Sequence, residues 1–289
     1  VHETCLMKCL KELEFQDIVQ QVEKALQELN IISPQLLIEK MLEALATEDN
    51  DLAREMLSQV MENYIVAEER NLPLCQDTGM VMAKVEKGEE VKVKGGSLRQ
   101  ALDEAIRRAY SNNYFRKSVI SDPFFGKNTG DNTPGVYFFE LQEGDSLRID
   151  LLVKGGGCDN ISSLGILEPG SEPEEVERFI LQELDKKGGQ ACPPLVVGVG
   201  IGGNAPYALY LASRALSRPL GEFNPDPRYR ELEEKWREDI NRLGIGPQGV
   251  GGRVTCLEVR IETYPCHIAS FPVGLVCNCH VFRQKTLKW

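Results

Sequence analysis

Apolar residues recur at helical spacing through the first quarter of the chain. Phe15, Ile18, Val19, Val22, Leu26 and Leu29 form one stripe, with Asn30 as a stop. Ser33-Pro34 reads as an N-cap followed by proline at the first helical position, and Leu36, Leu37, Met41, Leu42 and Leu45 give a second stripe. Asn50 or Asp51 can cap a third helix carrying Leu52, Met56, Val60, Met61 and Ile65. Residues 11–70 are therefore expected as a helical layer, its stripes serving as core rather than as a cofactor box.

Beyond residue 79 the period shortens. Residues 80–85 and 90–93 read as short strands, and Ser97 caps a helix that runs to Tyr110. Residues 111–134 are polar, irregular and rich in Asn, Asp, Gly and Pro; a loop this long in a compact domain is functional or mobile. Residues 136–141 and 147–153 predict a strand pair, with Gly155-Gly156-Gly157 directly after it. Helices are expected at 174–187, 205–216 and 228–243, and strands at 195–199, 254–263 and 273–276. No repeat or composition break marks a linker. The expectation is a single domain over residues 1–289, with a helical layer at 1–71 and a core at 72–289. Its fold class is α/β of mixed α+β kind, with the N-terminal helical layer packed on short-stranded sheets.

Composition narrows the function classes. The 289 residues are 42% hydrophobic and 27% charged, as in ordinary soluble globular chains. A net charge of −11 with no Lys/Arg stripe argues against nucleic-acid or membrane-surface binding. No apolar run approaches the ~18 residues of a membrane span. The first residues lack the basic start and apolar middle of a signal peptide. Nine cysteines, an odd number, without an export signal point to reduced thiols in the cytoplasm and to metal ligation rather than disulfides.

Three cysteines share a context. Cys75 lies in Leu72-Pro-Leu-Cys-Gln-Asp-Thr-Gly79, Cys192 in Ala191-Cys-Pro-Pro194, and Cys279 follows a short apolar strand. They are far apart in sequence, without the close pairs of a structural zinc site. Three isolated thiolates suit a cubane iron–sulfur cluster with one iron free to act as a Lewis acid; buried small hydrophobes are the plainer reading, and the one that spacing alone favours. Cys277-Asn-Cys279-His280 is the tightest run of soft ligands, and a mononuclear site there would need Cys266 or His267 as well. Cys5 and Cys9 read as free thiols, and Cys158 as a decoy behind the Gly155–Gly157 run.

Other groups carry paired readings. Asp77 is either a general base or a turn-capping carboxylate. Arg116 is either a bidentate carboxylate clamp or a solvated side chain, and His267 either a hydrogen-bonding acid or a satisfied core histidine. Lys154-Gly-Gly-Gly157 either presents backbone N–H groups to a carboxylate or makes a plain tight turn. Gly198-Val-Gly200-Ile-Gly-Gly203 matches the dinucleotide fingerprint and gives the case for an NAD-dependent dehydrogenase. No strand with an acid at its end follows at about 20 residues, so the loop reads instead as a close backbone approach with a helix N-terminus facing the site. An iron–sulfur electron carrier is a further alternative, which would use four protein ligands and no base.

Taken together, these segments resemble a known family. The 72–79 stretch, Asn128-Thr-Gly-Asp-Asn-Thr-Pro134, Lys154–Gly157, Ala191–Pro194, Gly200–Gly203 and Pro272-Val-Gly274 leading to Cys279 occur in its order. The chain is similar to the alpha subunit, or N-terminal iron–sulfur domain, of class I fumarate hydratase and of its relative L-tartrate dehydratase. The resemblance implies a [4Fe-4S] cluster on Cys75, Cys192 and Cys279 and reversible hydration of fumarate to (S)-malate, or the tartrate reaction. It implies Asp77 as the base, Gln76, Asp77, Arg116, Gly157 and His267 as contacts of a small dicarboxylate substrate, and a catalytic part for His267. Single-chain members carry a further C-terminal domain with more arginines, a threonine acid and a lysine. With the last ligand so near Trp289, a separate beta subunit is expected to complete the site, in an assembly such as two alpha with two beta subunits.

Overall fold

A computed structural model describes residues 10–289. In chain order, β1 (Lys11–Glu14) leads into α1 (Phe15–Ile31), α2 (Gln35–Thr47) and α3 (Asp51–Arg70). Then come β2 (Met80–Gly88), β3 (Val91–Lys94), α4 (Leu98–Asn112), β4 (Val136–Gln142), β5 (Leu147–Lys154), α5 (Gly156–Asn160) and β6 (Ser163–Leu167). The rest is α6 (Pro173–Lys187), β7 (Leu195–Gly202), α7 (Ala205–Ala215), α8 (Pro227–Arg242), β8 (Cys256–Tyr264), β9 (Phe271–Asn278) and β10 (Arg283–Lys288). Mixed α/β architecture with short strands is as expected. Backbone contacts divide it into two compact units. One comprises the chain up to Asn30, Thr78–Val153 and Lys285–Trp289; the other comprises Ile31–Asp77 and Lys154–Gln284. The expected helical layer is thus shared out, α1 to the first unit and α2 and α3 to the second.

In the first unit, Lys11–Glu14 is a strand where helix was expected. It pairs in parallel with β3, and the alternation of Lys11, Glu12, Leu13 and Glu14 suits a strand better than the stripe that starts at Phe15. The second sheet has the order β10-β5-β2-β4. The predicted pairing of residues 136–141 with 147–153 does not occur, because β2 lies between them and pairs with β4 in parallel. Their connection crosses the end of β2: Gly88 N–H donates to the Ser146 carbonyl at 2.8 Å, and a Cβ on Gly88 would meet the Gly144 carbonyl at 2.2 Å. Ser97 caps α4 in a capping box with Gln100, as read from the sequence. The 113–134 loop is pinned by buried Asn132, which accepts from Ser118 N–H at 2.7 Å and donates to the Gly79 carbonyl at 3.1 Å.

In the second unit, Asn50 caps α3, accepting from the N–H groups of Leu52 and Ala53. At α2 the cap position is Pro34 rather than Ser33, one residue later than the pattern suggested. The sheet has the order β6-β9-β7-β8, with β8 parallel and β9 antiparallel to β7. Its core gathers Val197, Val199, Leu275, Ile180, Leu184, Ile240 and Trp236. Between β7 and β8 the chain passes through α7 and α8, so a parallel crossover does follow the glycine run. Its second strand begins only at Cys256, far beyond the roughly 20-residue spacing of the dinucleotide fingerprint.

The glycine run of β7 serves this packing. A Cβ on Gly198 would meet the Ala212 carbonyl at 2.2 Å, one on Gly200 the Ala208 carbonyl at 2.1 Å, and one on Gly274 the Ala208 carbonyl at 2.4 Å. The backbone of α7 lies directly on the sheet, which only glycine permits. We expect Gly200→Ala to lower stability by about 1–3 kcal/mol or more, since backbone on both sides must give way. Chemical denaturation checks this, and an unchanged midpoint would contradict the close approach. Among the described residues no helix is long and apolar enough to cross a membrane.

Candidate active site

Strand register decides where the site can form. Val196 lies opposite Asn278 in the antiparallel pair, so Cys192, just ahead of β7, and Cys279, just after β9, reach the same end of the sheet. His280 N–H meets the Cys192 carbonyl at 3.5 Å. Cys192 closes a short 3-10 turn, Gly188–Ala191, in the left-handed conformation with φ 54°, which a non-glycine residue holds only when its surroundings insist. The Pro193 carbonyl after it accepts from both the N–H and the side-chain amide of Gln248. Cys75 comes from the loop after α3. That helix ends on Asn71 in a left-handed cap, and Asn63 of α3 ties the loop back through the Leu74 carbonyl at 2.9 Å.

The three thiols share one electrostatic neighbourhood. Burial pushes the Cys75 thiol up, against the Asp77 N–H and the Arg283 guanidinium, and Cys279 adds to the rise. Burial also raises Cys192, with further repulsion from Cys279 and Cys75. Cys279 behaves oppositely, held down to about 5. The Cys158 thiol donates to its sulfur, and His280, Arg283 and the Val281 N–H support the thiolate against burial. Cys158 is raised in return, first as the donor in that bond.

Asp77 stands beside them. Its Oδ2 accepts from Gly156 N–H at 2.7 Å, and its carbonyl accepts from Arg283 Nη1 at 2.9 Å. A Cβ on Gly155 would come within 2.8 Å of that carboxylate, so the glycine leaves the space it occupies. The Lys154–Gly157 run is therefore the start of α5 rather than a simple tight turn. Its last glycine backs onto the Cys192 loop, where a Cβ on Gly157 would lie 3.0 Å from the Gln190 carbonyl.

Cys75, Gln76, Asp77, Gly157, Cys192 and Cys279 thus come together within one unit, with Gln76 and Gly157 exposed. His267 does not join them. It is exposed beyond the start of β9, accepting from Ala269 N–H at 3.1 Å, whereas Cys279 follows the end of that eight-residue strand. Strand rise separates the two ends of β9 by roughly 23 Å. Arg116 belongs to the other unit, where it is exposed and its carbonyl accepts from the Thr78 hydroxyl at 2.9 Å. The N-terminus of α7 follows the far end of β7 from Cys192, so it does not face the cysteines as the sequence reading supposed. Cys5 and Cys9 lie outside the described residues.

Sequence reasoning left out Tyr64 and Arg283 and gave Cys158 and His280 other parts. Cys158, set aside as a decoy, is the thiol donor to Cys279 and lies 3.6 Å from the Ala191 carbonyl. The histidine beside the cysteines is His280, engaged by Tyr64, whose hydroxyl stands 3.1 Å from Nδ1 and donates to the His280 carbonyl at 2.8 Å. Burial lowers the His280 ring and raises the Tyr64 hydroxyl. Arg283 carried no signal in the sequence. His280 did, as the neighbour of Cys279.

The donor set can be tested against a metal. Among the described residues no three His, Cys, Asp or Glu side chains converge closely enough to hold a single ion. Cys277 points into the core at 0% exposure, which removes the mononuclear arrangement around Cys277–His280. Three thiols that feel one another's charge without meeting at a point suit a cluster of several metal ions.

The family model described as Fumarate hydratase (Fumerase) matches residues 19–288. The chain belongs to this family. The Fumerase family is one of [4Fe-4S] hydro-lyases, and its match covers every site residue described above. The dehydrogenase and electron-carrier readings therefore lapse. An Escherichia coli protein named L(+)-tartrate dehydratase subunit alpha is 31% identical over 258 residues, covering 88% of this chain and 85% of that one. A Methanocaldococcus jannaschii protein provisionally named for the same subunit is 36% identical over 248 residues, covering 84% and 87%.

Proposed function

We propose that this chain is the alpha subunit of a [4Fe-4S]-dependent hydro-lyase that interconverts a small hydroxy-dicarboxylate and its dehydrated form, reversibly hydrating fumarate to (S)-malate. What carries the reading is the Asp77 carboxylate held by Gly156 N–H two residues from Cys75, among three thiols that share one neighbourhood. Cys75, Cys192 and Cys279 hold the cluster. When bound, it supplies a Lewis-acidic iron that polarises the substrate hydroxyl and one carboxylate. In the dehydration direction Asp77 accepts the proton from the carbon next to the one that loses hydroxyl, and the hydroxyl leaves as water after taking a proton from an acid that the beta subunit would supply. The Gly156 bond keeps the carboxylate in place. Gln76 and the Gly157 N–H bind substrate. Arg116 is the proposed carboxylate clamp, whereas His267, at the far end of β9 from Cys279, takes no part in the site of its own chain. The relatives' subunit names support a beta subunit that completes the site, and the cytoplasm is the proposed location.

L-tartrate dehydration is the second reading, favoured by the names of the same relatives. The two substrates differ by one hydroxyl. Steady-state rates on fumarate, (S)-malate and L-tartrate, from the anaerobic chain with and without a co-expressed beta subunit, test both. We expect activity only in the complex. Full turnover by this chain alone would remove the beta-subunit claim, and turnover of none of the three substrates by the loaded complex would remove the hydro-lyase assignment.

A further inference from the structure

The outer edge of β8 faces a cavity apart from the cysteine site. A cavity of about 450 Å³ opens there between α2, α8 and the stretch after α7. No residue of the cysteine site lines it. Its size falls within the range of small-molecule pockets.

The edge is closed at both ends by side chains. Ile261 N–H donates to Glu233 Oε1 at 2.8 Å, and its carbonyl accepts from Asn224 Nδ2 at 2.9 Å. Near the strand's start, Asn241 Oδ1 accepts from the N–H groups of Thr255 and Cys256 at 2.8 Å each, and its Nδ2 donates to the Cys256 carbonyl at 3.1 Å. In a parallel ladder, alternate residues turn both backbone groups to the same side. Ile261 faces outward, so Val259, two residues earlier, does too. Its N–H and carbonyl have no partner among the described residues, though the residue is 4% exposed and lines the cavity. A buried donor–acceptor pair of this kind calls for a polar guest.

The walls say which guest. Arg237 lies one helical turn before Asn241, on the same face of α8. It is half-buried and makes no hydrogen bond or ion pair among the described residues. The other wall cation, Lys40, is already paired with Glu258 at 3.1 Å, and Glu258 also binds Arg260. Exposed Glu43 and Glu234 stand among the lining residues, and Phe223 and Leu257 supply apolar surface. Strand addition does not fit, because the caps leave one residue of edge. A multiply charged anion would meet the glutamates, and a simple amine would leave Arg237 unpaired.

We propose that this cavity binds a small zwitterion of the α-amino-acid class with an apolar side chain. Arg237 and the Val259 N–H take the carboxylate, the Val259 carbonyl and the glutamates take the ammonium, and Phe223 and Leu257 cover the side chain. Calorimetric titration of the full chain with L-leucine, L-valine and L-phenylalanine tests this, with 4-methylpentanoate and isopentylamine as analogues lacking one charge each. The expected result is saturable binding of at least one amino acid, at least tenfold weaker for both analogues and for Arg237→Ala, with the Val259 amide resonance shifting on binding. No binding by any of the three, or equal binding by 4-methylpentanoate, would overturn the proposal. The analogue comparison needs no variant, so it stands even if Arg237→Ala fails to fold.

Discussion

Serine at Cys75, Cys192 or Cys279 is expected to strip the chain of its iron–sulfur cluster and, with it, of all hydro-lyase activity. A hydroxyl is a poor ligand where a thiolate is required, and loss of one of three ligands frees an edge of the cluster. Iron and acid-labile sulfide should fall from about four each per chain toward zero. Cys266→Ser, at an exposed position in the β8–β9 connection, should leave loading unchanged. Cys158→Ser should keep much of the loading, because a hydroxyl can still donate to the Cys279 sulfur. Full loading in Cys192→Ser would remove that residue from the ligand set. Equal losses at Cys158 and Cys75 would mean that Cys158 ligates too.

Asp77→Asn is expected to keep the cluster and lose the chemistry. An amide of the same shape can still accept from Gly156 N–H, but it cannot take a proton. Positioned general bases contribute about 10²–10⁴-fold, so kcat should fall by that factor while iron content stays at the wild-type level. Gly155→Ala probes the same carboxylate by position. The new Cβ would sit 2.8 Å from Oδ2, and a displacement of about 1 Å costs on the order of 10²-fold in rate. The two variants should resemble each other in kcat, with cluster loading intact in both. If Asp77→Asn turns over normally, the residue is the turn-capping carboxylate of the plainer reading.

Local signals were legible where one residue decides one interaction. Asn50, Ser97 and the start of the Phe15 stripe did what caps and periodicity dictate, because each acts within a few residues. Strand pairing was not legible. Residues 136–141 and 147–153 look like a hairpin from either end, and nothing in them reveals that β2 inserts between them. The glycines of β7 show the same limit. Gly198–Gly203 satisfies a phosphate-loop pattern, yet Gly198 and Gly200 answer to the α7 backbone, a contact made more than seven residues away. At the site, Cys75 and Asp77 could be paired from adjacency alone. Only the family resemblance joined them to Cys192 and Cys279, and the β7–β9 register gives the physical reason that the last two reach one end of the sheet. His280 was legible only as one of a tight run of soft ligands, and its bonds to Tyr64, from α3, are not visible in the sequence.

The central claim is that three cysteines of this chain leave one iron open to substrate beside Asp77. Mössbauer spectroscopy of the anaerobic, ⁵⁷Fe-loaded complex with a beta subunit measures it most directly, without and with (S)-malate or L-tartrate. One iron in four should be distinct, and its signal alone should shift when substrate is added. Four equivalent irons that ignore both substrates would contradict the account.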